Sequence, residues 1–87
     1  MSFDITVTQE DQRTLVVITG RPSLGQLLSL LQVLEVDSAF WAHSSVLFDL
    51  SGLEVALSPA EQARLGEEAH RSLPRATTIS FRWTSPL

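Results

Sequence analysis

At the start of the chain, apolar Phe3, Ile5 and Val7 alternate with polar Asp4, Thr6 and Thr8. A period of two is that of a strand with one wet face, so the first strand is expected over 3–8, at a sheet edge. The polar run Gln9-Glu10-Asp11-Gln12-Arg13 leads into Thr14-Leu15-Val16-Val17-Ile18-Thr19, which is short, β-branched and apolar on both faces. That is the pattern of a central strand joined to the first as a hairpin. Gly20-Arg21-Pro22 breaks it, and Ser23 stands as N-cap before Leu24, Leu27, Leu28, Leu31 and Leu34 at helical spacing. A first helix is expected over about 24–35, with Leu30 and Val33 widening its apolar side beyond a single face.

The stretch 36–44 has no clear period and has room for one short turn. Ser45-Val46-Leu47-Phe48-Asp49-Leu50 is again a short apolar run and predicts the third strand. Ser58-Pro59-Ala60-Glu61 is the clearest helix start: Ser at N-cap, Pro at N1, and Glu at N3 able to reach back to the Ser58 amide. On this second helix Leu65, Gly66, Ala69 and Leu73 share one face, and Pro74 stops it. Ile79, Phe81 and Trp83 alternate with Thr78, Ser80 and Arg82 in a fourth strand over 77–83, ended by Ser85-Pro86.

The order β-β-α-β-α-β reads as an α/β fold in a single domain spanning 1–87. Right-handed crossovers carry strands 2, 3 and 4 in one direction and put both helices on one face. The expected sheet is four-stranded and mixed, in the order 1-2-3-4, with strand 1 antiparallel.

Composition narrows the function classes. With no cysteine, disulfides, thiolate metal sites and a cysteine nucleophile are excluded. Net charge is −4 and all six basic residues are arginines, scattered from Arg13 to Arg82. A phosphate backbone would be repelled, so no nucleic-acid partner is expected. No apolar run approaches the ~20 residues of a membrane span, and the start Met1-Ser2-Phe3-Asp4 lacks the charge and apolar run of a secretory signal. No membrane partner and a cytoplasmic location are the expectations.

In parallel sheets, ligands and partners gather beyond the carboxyl ends of the strands, here the loops 20–22 and 51–57. The second loop lies in Val46-Leu47-Phe48-Asp49-Leu50-Ser51-Gly52-Leu53-Glu54-Val55-Ala56-Leu57-Ser58. This segment resembles the STAS domain family, the anti-sigma-factor antagonist-like domains, in its short bacterial members. In that family a buried strand ends in Asp-Leu-Ser, and Asp-Ser-x-Gly opens the next helix with its Ser as phosphoacceptor. The resemblance covers the element order from Phe3 to Trp83, including Gly20. It places Ser58 on the phosphoacceptor position, while Leu57 occupies the acidic position, Ala60 the Gly position, and Ser23 a place where antagonists often carry Asp. The family pattern also continues with a further helix, which this chain, ending at Leu87, does not reach.

The resemblance implies a non-catalytic regulatory or protein-binding module that presents the loop 51–58 and the following helix start to a protein. Arg21, Asp49, Ser51, Glu54 and Glu61 are the candidate partner-binding residues, and Ser58 is the candidate phosphoacceptor. Ser58 and Asp49 each have a plainer explanation. An N-cap Ser satisfies a helix amide in any protein, and Asp49 at a strand end suits a carboxylate that ties down the next loop. Glu67-x-x-His70 is half of a carboxylate metal site, but no second such pair exists, so no metal and no cofactor are expected. No Gly-x-Ser-x-Gly elbow or phosphate loop is present, so no catalytic set is assigned. A second function class is a carrier of a small ligand held near Trp41 or at the helix N-termini. Phe40-Trp41 is otherwise expected to cover the end of the core. Self-association as a homodimer is the last expectation, because a fourth strand without Lys or Pro is an unprotected edge and leaves Ile79, Phe81 and Trp83 in need of cover.

Overall fold

The protein is described by a computed structural model over residues 3–83. Strand β1 (Phe3–Gln9) pairs antiparallel with β2 (Thr14–Gly20), Val7 opposite Val16 and Ile5 opposite Ile18. Helix α1 (Leu24–Asp37), a 3₁₀ turn (Ser38–Phe40), β3 (Ser45–Asp49), α2 (Pro59–Ser72) and β4 (Thr78–Arg82) follow. The sheet order is β1-β2-β3-β4, with β2, β3 and β4 parallel. The expected end of the last strand at Ser85-Pro86 lies outside the described residues.

The alternation in sequence becomes two unlike sheet faces. On one, Val16 and Ile18 of β2 and Val46 and Phe48 of β3 join Leu27, Leu31 and Leu34 of α1 and Leu65 and Ala69 of α2 in a single buried cluster, completed by Leu50, Leu53 and Leu73. Both helices therefore cover the same face. The other face carries Leu15, Val17 and Leu47, flanked on β1 by Thr6 and Thr8 and on β4 by Ser80. Register sets the flanks. Leu47 is buried there, outside the main cluster, because strands on both sides crowd it.

Both helices open with a reciprocal cap. Ser23 Oγ accepts from the Gln26 amide at 3.1 Å and Gln26 Oε1 accepts from the Ser23 amide at 2.9 Å, which satisfies two orphan amides at once. Helix α1 runs two residues beyond its expected end because no Gly or Pro stands there. At α2, Leu73 is the C-cap and Pro74 follows, a residue that cannot donate to a further turn.

Two core assignments need correction. Leu28 packs only half-buried against the cluster. Phe40 does not cover the core at all: it is 84% exposed, while its neighbour Trp41 takes the inner position, because the 3₁₀ turn leaves the two side chains on different sides.

Candidate functional site

The carboxyl ends of β2 and β3 stand side by side, and the chain beyond them is tied together by its backbone. Gly20 adopts φ 97°, a left-handed conformation that glycine takes without strain, and it turns the chain toward exposed Arg21. The Glu54 amide donates to the Gly20 carbonyl at 2.8 Å and Leu53 forms a parallel bridge with Gly20. Leu53 is buried while Ser51, Gly52 and Glu54 remain exposed. Gly52 crosses close above β2, where a Cβ at that position would lie 2.9 Å from Thr19 Cγ2.

Asp49 anchors the start of this loop. Its Oδ1 accepts from the Ser51 amide at 3.0 Å and from the Ser51 hydroxyl at 2.6 Å, and its Oδ2 accepts from Arg82 Nη1 at 3.2 Å. The Ser51 hydroxyl does most to hold the carboxyl below its ordinary value of 3.8; burial pulls it back upward, and the Ser51 amide and then the Arg82 charge add to the lowering. A folded-state pKa below the unfolded one stabilises the protein above about pH 3.9, and that contribution disappears as pH falls through the folded value. Asp49→Asn should therefore flatten the loss of stability that sets in as pH falls below the ordinary carboxylate range. Urea titrations of both proteins check this; equal slopes would show that other carboxylates carry the acid sensitivity.

Ser58 begins α2 at the far end of the loop. Its Oγ accepts from the Glu61 amide at 3.2 Å, and Glu61 Oε1 accepts from the Ser58 amide at 2.9 Å. The Ser58 side chain is exposed, Glu61 is half-buried, and Gln62 Nε2 donates to the Leu57 carbonyl at 3.3 Å. The predicted residues thus fall into two hydrogen-bonded groups, Asp49 with Ser51 and Ser58 with Glu61, while Arg21 and Glu54 make no side-chain hydrogen bond or ion pair among the described residues. Arg82 was missed. Its polar position in the alternation of β4 was visible, but only the strand register, which sets Asp49 opposite Arg82, brings the two together.

The arrangement offers hydrogen-bonding and charged groups for contact. At Trp41 the cleft is ≈250 Å³, lined in part by His43, Leu73 and Arg75, below the roughly 300 Å³ at which ligand pockets begin. The carrier reading gains nothing from it, and at the start of α1 the surface is an open, mainly apolar groove of ≈610 Å³ lined in part by Phe3, Ser23, Gln26 and Leu30, not a closed, polar-lined pocket. Among the described residues no helix is long and apolar enough to cross a membrane, and no cluster of three His, Asp or Glu could hold a metal.

Two solved structures share this architecture. An anti-sigma factor antagonist from Mycobacterium paratuberculosis matches with a TM-score of 0.69 over 98% of this chain and 70% of its own, at 18% sequence identity. The STAS domain of an antisigma-factor antagonist from Rhodobacter sphaeroides gives 0.56 over 94% of this chain and 85% of its own, at 14% identity. The fold is STAS-like. No family model matches the sequence, and no curated protein matches it, so the likeness is carried by the backbone. In this STAS-like frame the loop 50–58 leads from the end of β3 into the capping box of α2.

Proposed function

We propose that the protein is a non-catalytic regulatory module that binds a protein partner through the loop 51–58 and the start of α2, with Ser58 as its switch. The observation that carries this reading is the exposed Ser58 hydroxyl at the start of a fourteen-residue helix, within a fold shared with two anti-sigma factor antagonists. A partner of the anti-sigma-factor kind is the class these neighbours suggest. Arg21, Asp49, Ser51, Glu54 and Glu61 surround the same edge and supply its polar contacts. The module works in the cytoplasm and uses no cofactor. Asp49 is engaged by Ser51 and Arg82 and is held ionised, which suits loop anchoring and not proton transfer.

A kinase that moves the γ-phosphoryl group of ATP onto Ser58 Oγ, with loss of the hydroxyl proton, would add a charge of about −2 at the helix start. Free amides and the positive end of the helix dipole favour phosphate there. The Glu61 carboxylate, held against the Ser58 amide, would be repelled. Modification thus opens the capping box and alters both the charge and the shape that a partner meets. Once the partner is identified by pull-down and mass spectrometry, Ser58→Asp should bind it about ten-fold or more weakly. Ser58→Ala should bind as wild type and lose only about 0.5–2 kcal/mol of stability with the cap. Undiminished binding by Ser58→Asp, together with no phosphate on Ser58 from cells, would overturn the switch.

Self-association belongs to the same reading. Among the described residues β4 is an edge strand with no Lys or Pro in Thr78–Arg82, and its Phe81 stacks on Trp83 with ring centres 5.0 Å apart while both stay half-buried. An open edge beside partly exposed aromatic surface favours pairing with a second copy. Light scattering at micromolar concentration should give about twice the 9.6 kDa of one chain; a monomer mass rules the pairing out.

A further inference from the structure

The outer side of helix α1 carries two exposed valines among polar residues. Leu27, Leu31 and Leu34 face the core, whereas Val33 and Val36 are 65% and 72% exposed. Exposed Phe40 of the following 3₁₀ turn borders the same groove as these valines, and on α1 Ser29, Val33 and Val36 follow at steps of four and three, which place side chains on one line. This is the spacing with which helices pack on helices. Val33, Val36 and Phe40 line one open groove together with Ser29, Gln32 and Asp37, an apolar strip with a polar rim on which the side chains of a second helix can pack.

Charge indicates what the cover is. Helix α1 contains no basic residue, and its carboxylates Glu35 and Asp37 stand in the last turn, where the helix dipole is already negative. Asp37 borders the groove, and Glu35 borders the cleft on the other side of Val36. Asp37 Oδ2 accepts from Trp41 Nε1 at 2.8 Å, which fixes the carboxylate without neutralising it; neither residue has an ion-pair partner among the described residues, and Arg75 shares the Glu35 cleft without pairing to it. Pairing of α1 with α1 of a second copy across a two-fold axis at Val36 would set Asp37 against Asp37. The exposed side of α2 carries Arg64, Glu67, His70 and Arg71 and offers no apolar stripe in exchange.

We propose that this outer seam of α1 is a second docking surface, which takes an amphipathic helix of another protein with apolar residues at three-and-four spacing and Lys or Arg on its flanks. Val36 at the end of α1, and Phe40 in the 3₁₀ turn after it, lie away from Gly20 and the loop 51–58, with Val36 about 20 Å along the helix from its start. A partner held there stays bound whatever the state of Ser58.

The probe is a fluorescein-labelled synthetic peptide of about 18 residues, with leucines at three-and-four spacing and lysine flanks, compared with one that carries glutamate flanks. By fluorescence anisotropy the lysine peptide should saturate, and it should shift the backbone amide resonances of 29–40. Its affinity should fall roughly ten-fold against V33S/F40S, and the glutamate peptide should be weaker by a similar factor. Val36→Ser alone, a milder change at an exposed position, should fall in the same direction. Ser58→Asp should leave binding unchanged, so failure of the seam and failure of the Ser58 switch are read apart. The seam is overturned by unsaturable binding, by equal affinity for the two peptides or for wild type and V33S/F40S, or by a wild-type dimer in sedimentation that V33S/F40S abolishes.

Discussion

Phe48→Ala is expected to leave the protein unfolded or at the edge of unfolding. Phe48 is 1% exposed in the middle of β3, and its ring stacks on Phe81 with centres 5.1 Å apart. Truncating a buried Phe costs about 3–5 kcal/mol through lost transfer energy and the cavity left behind. A domain of this size buries only about 60–70% of its unfolded surface and has little beyond that to lose. Urea denaturation followed by circular dichroism checks the result, with Phe48→Leu as the milder control. A loss below about 1 kcal/mol would mean that the helices close over the gap, and that Phe48 is not the centre on which the layers meet.

Gly52→Ala should be the most damaging change that adds a single carbon to the loop. The new Cβ would stand 2.9 Å from Thr19 Cγ2, and Thr19, on β2, has little freedom to withdraw. Gly52 does not need a positive φ, which among the described residues only Gly20 adopts, so the penalty is one of contact and not of backbone strain. Overpacking of this kind costs about 1–3 kcal/mol. Thr19→Ser removes the opposing methyl, so the double variant G52A/T19S should regain most of the loss. A double-mutant cycle by thermal unfolding measures that recovery. Additive losses would place the cost elsewhere. Because the loop also carries Ser51 and Glu54, G52A should weaken partner binding as well.

Local sequence was a good guide wherever one residue's neighbours decide its state. Alternation in β1 and β4, and the Ser-Pro-x-Glu start of α2, depend on contacts within a few residues, and the starts of both helices match the expected caps. The sheet order followed from handedness of the crossovers. What stayed hidden is what depends on contacts across the fold. Asp49 and Arg82 are 33 positions apart and meet only through the β3–β4 register. Thr19 and Gly52 meet because the loop after β3 lies over the end of β2. Phe40 and Trp41 are neighbouring aromatics, and their order in the chain could not say which of the two packs inward; Trp41 does so with its indole N–H donated to Asp37 Oδ2 at 2.8 Å. In the candidate site, Ser58 and Glu61 were legible as a local cap, whereas the role of Arg82 was not.

The four strands lie across the sheet in the order in which they occur along the chain. During synthesis no strand then has to insert between two that have already paired; each adds to the newest edge, starting from a hairpin whose partners are close in sequence. Of these four strands β4 is made last, and with it come the Arg82 carbonyl that accepts from the Leu50 amide at 2.8 Å and the Arg82 guanidinium that meets Asp49. Both fasten the loop after β3. The edge that would meet a partner is therefore finished only when the last strand docks, and a nascent chain that has not yet released β4 carries Ser58 on a loop still lacking its anchor.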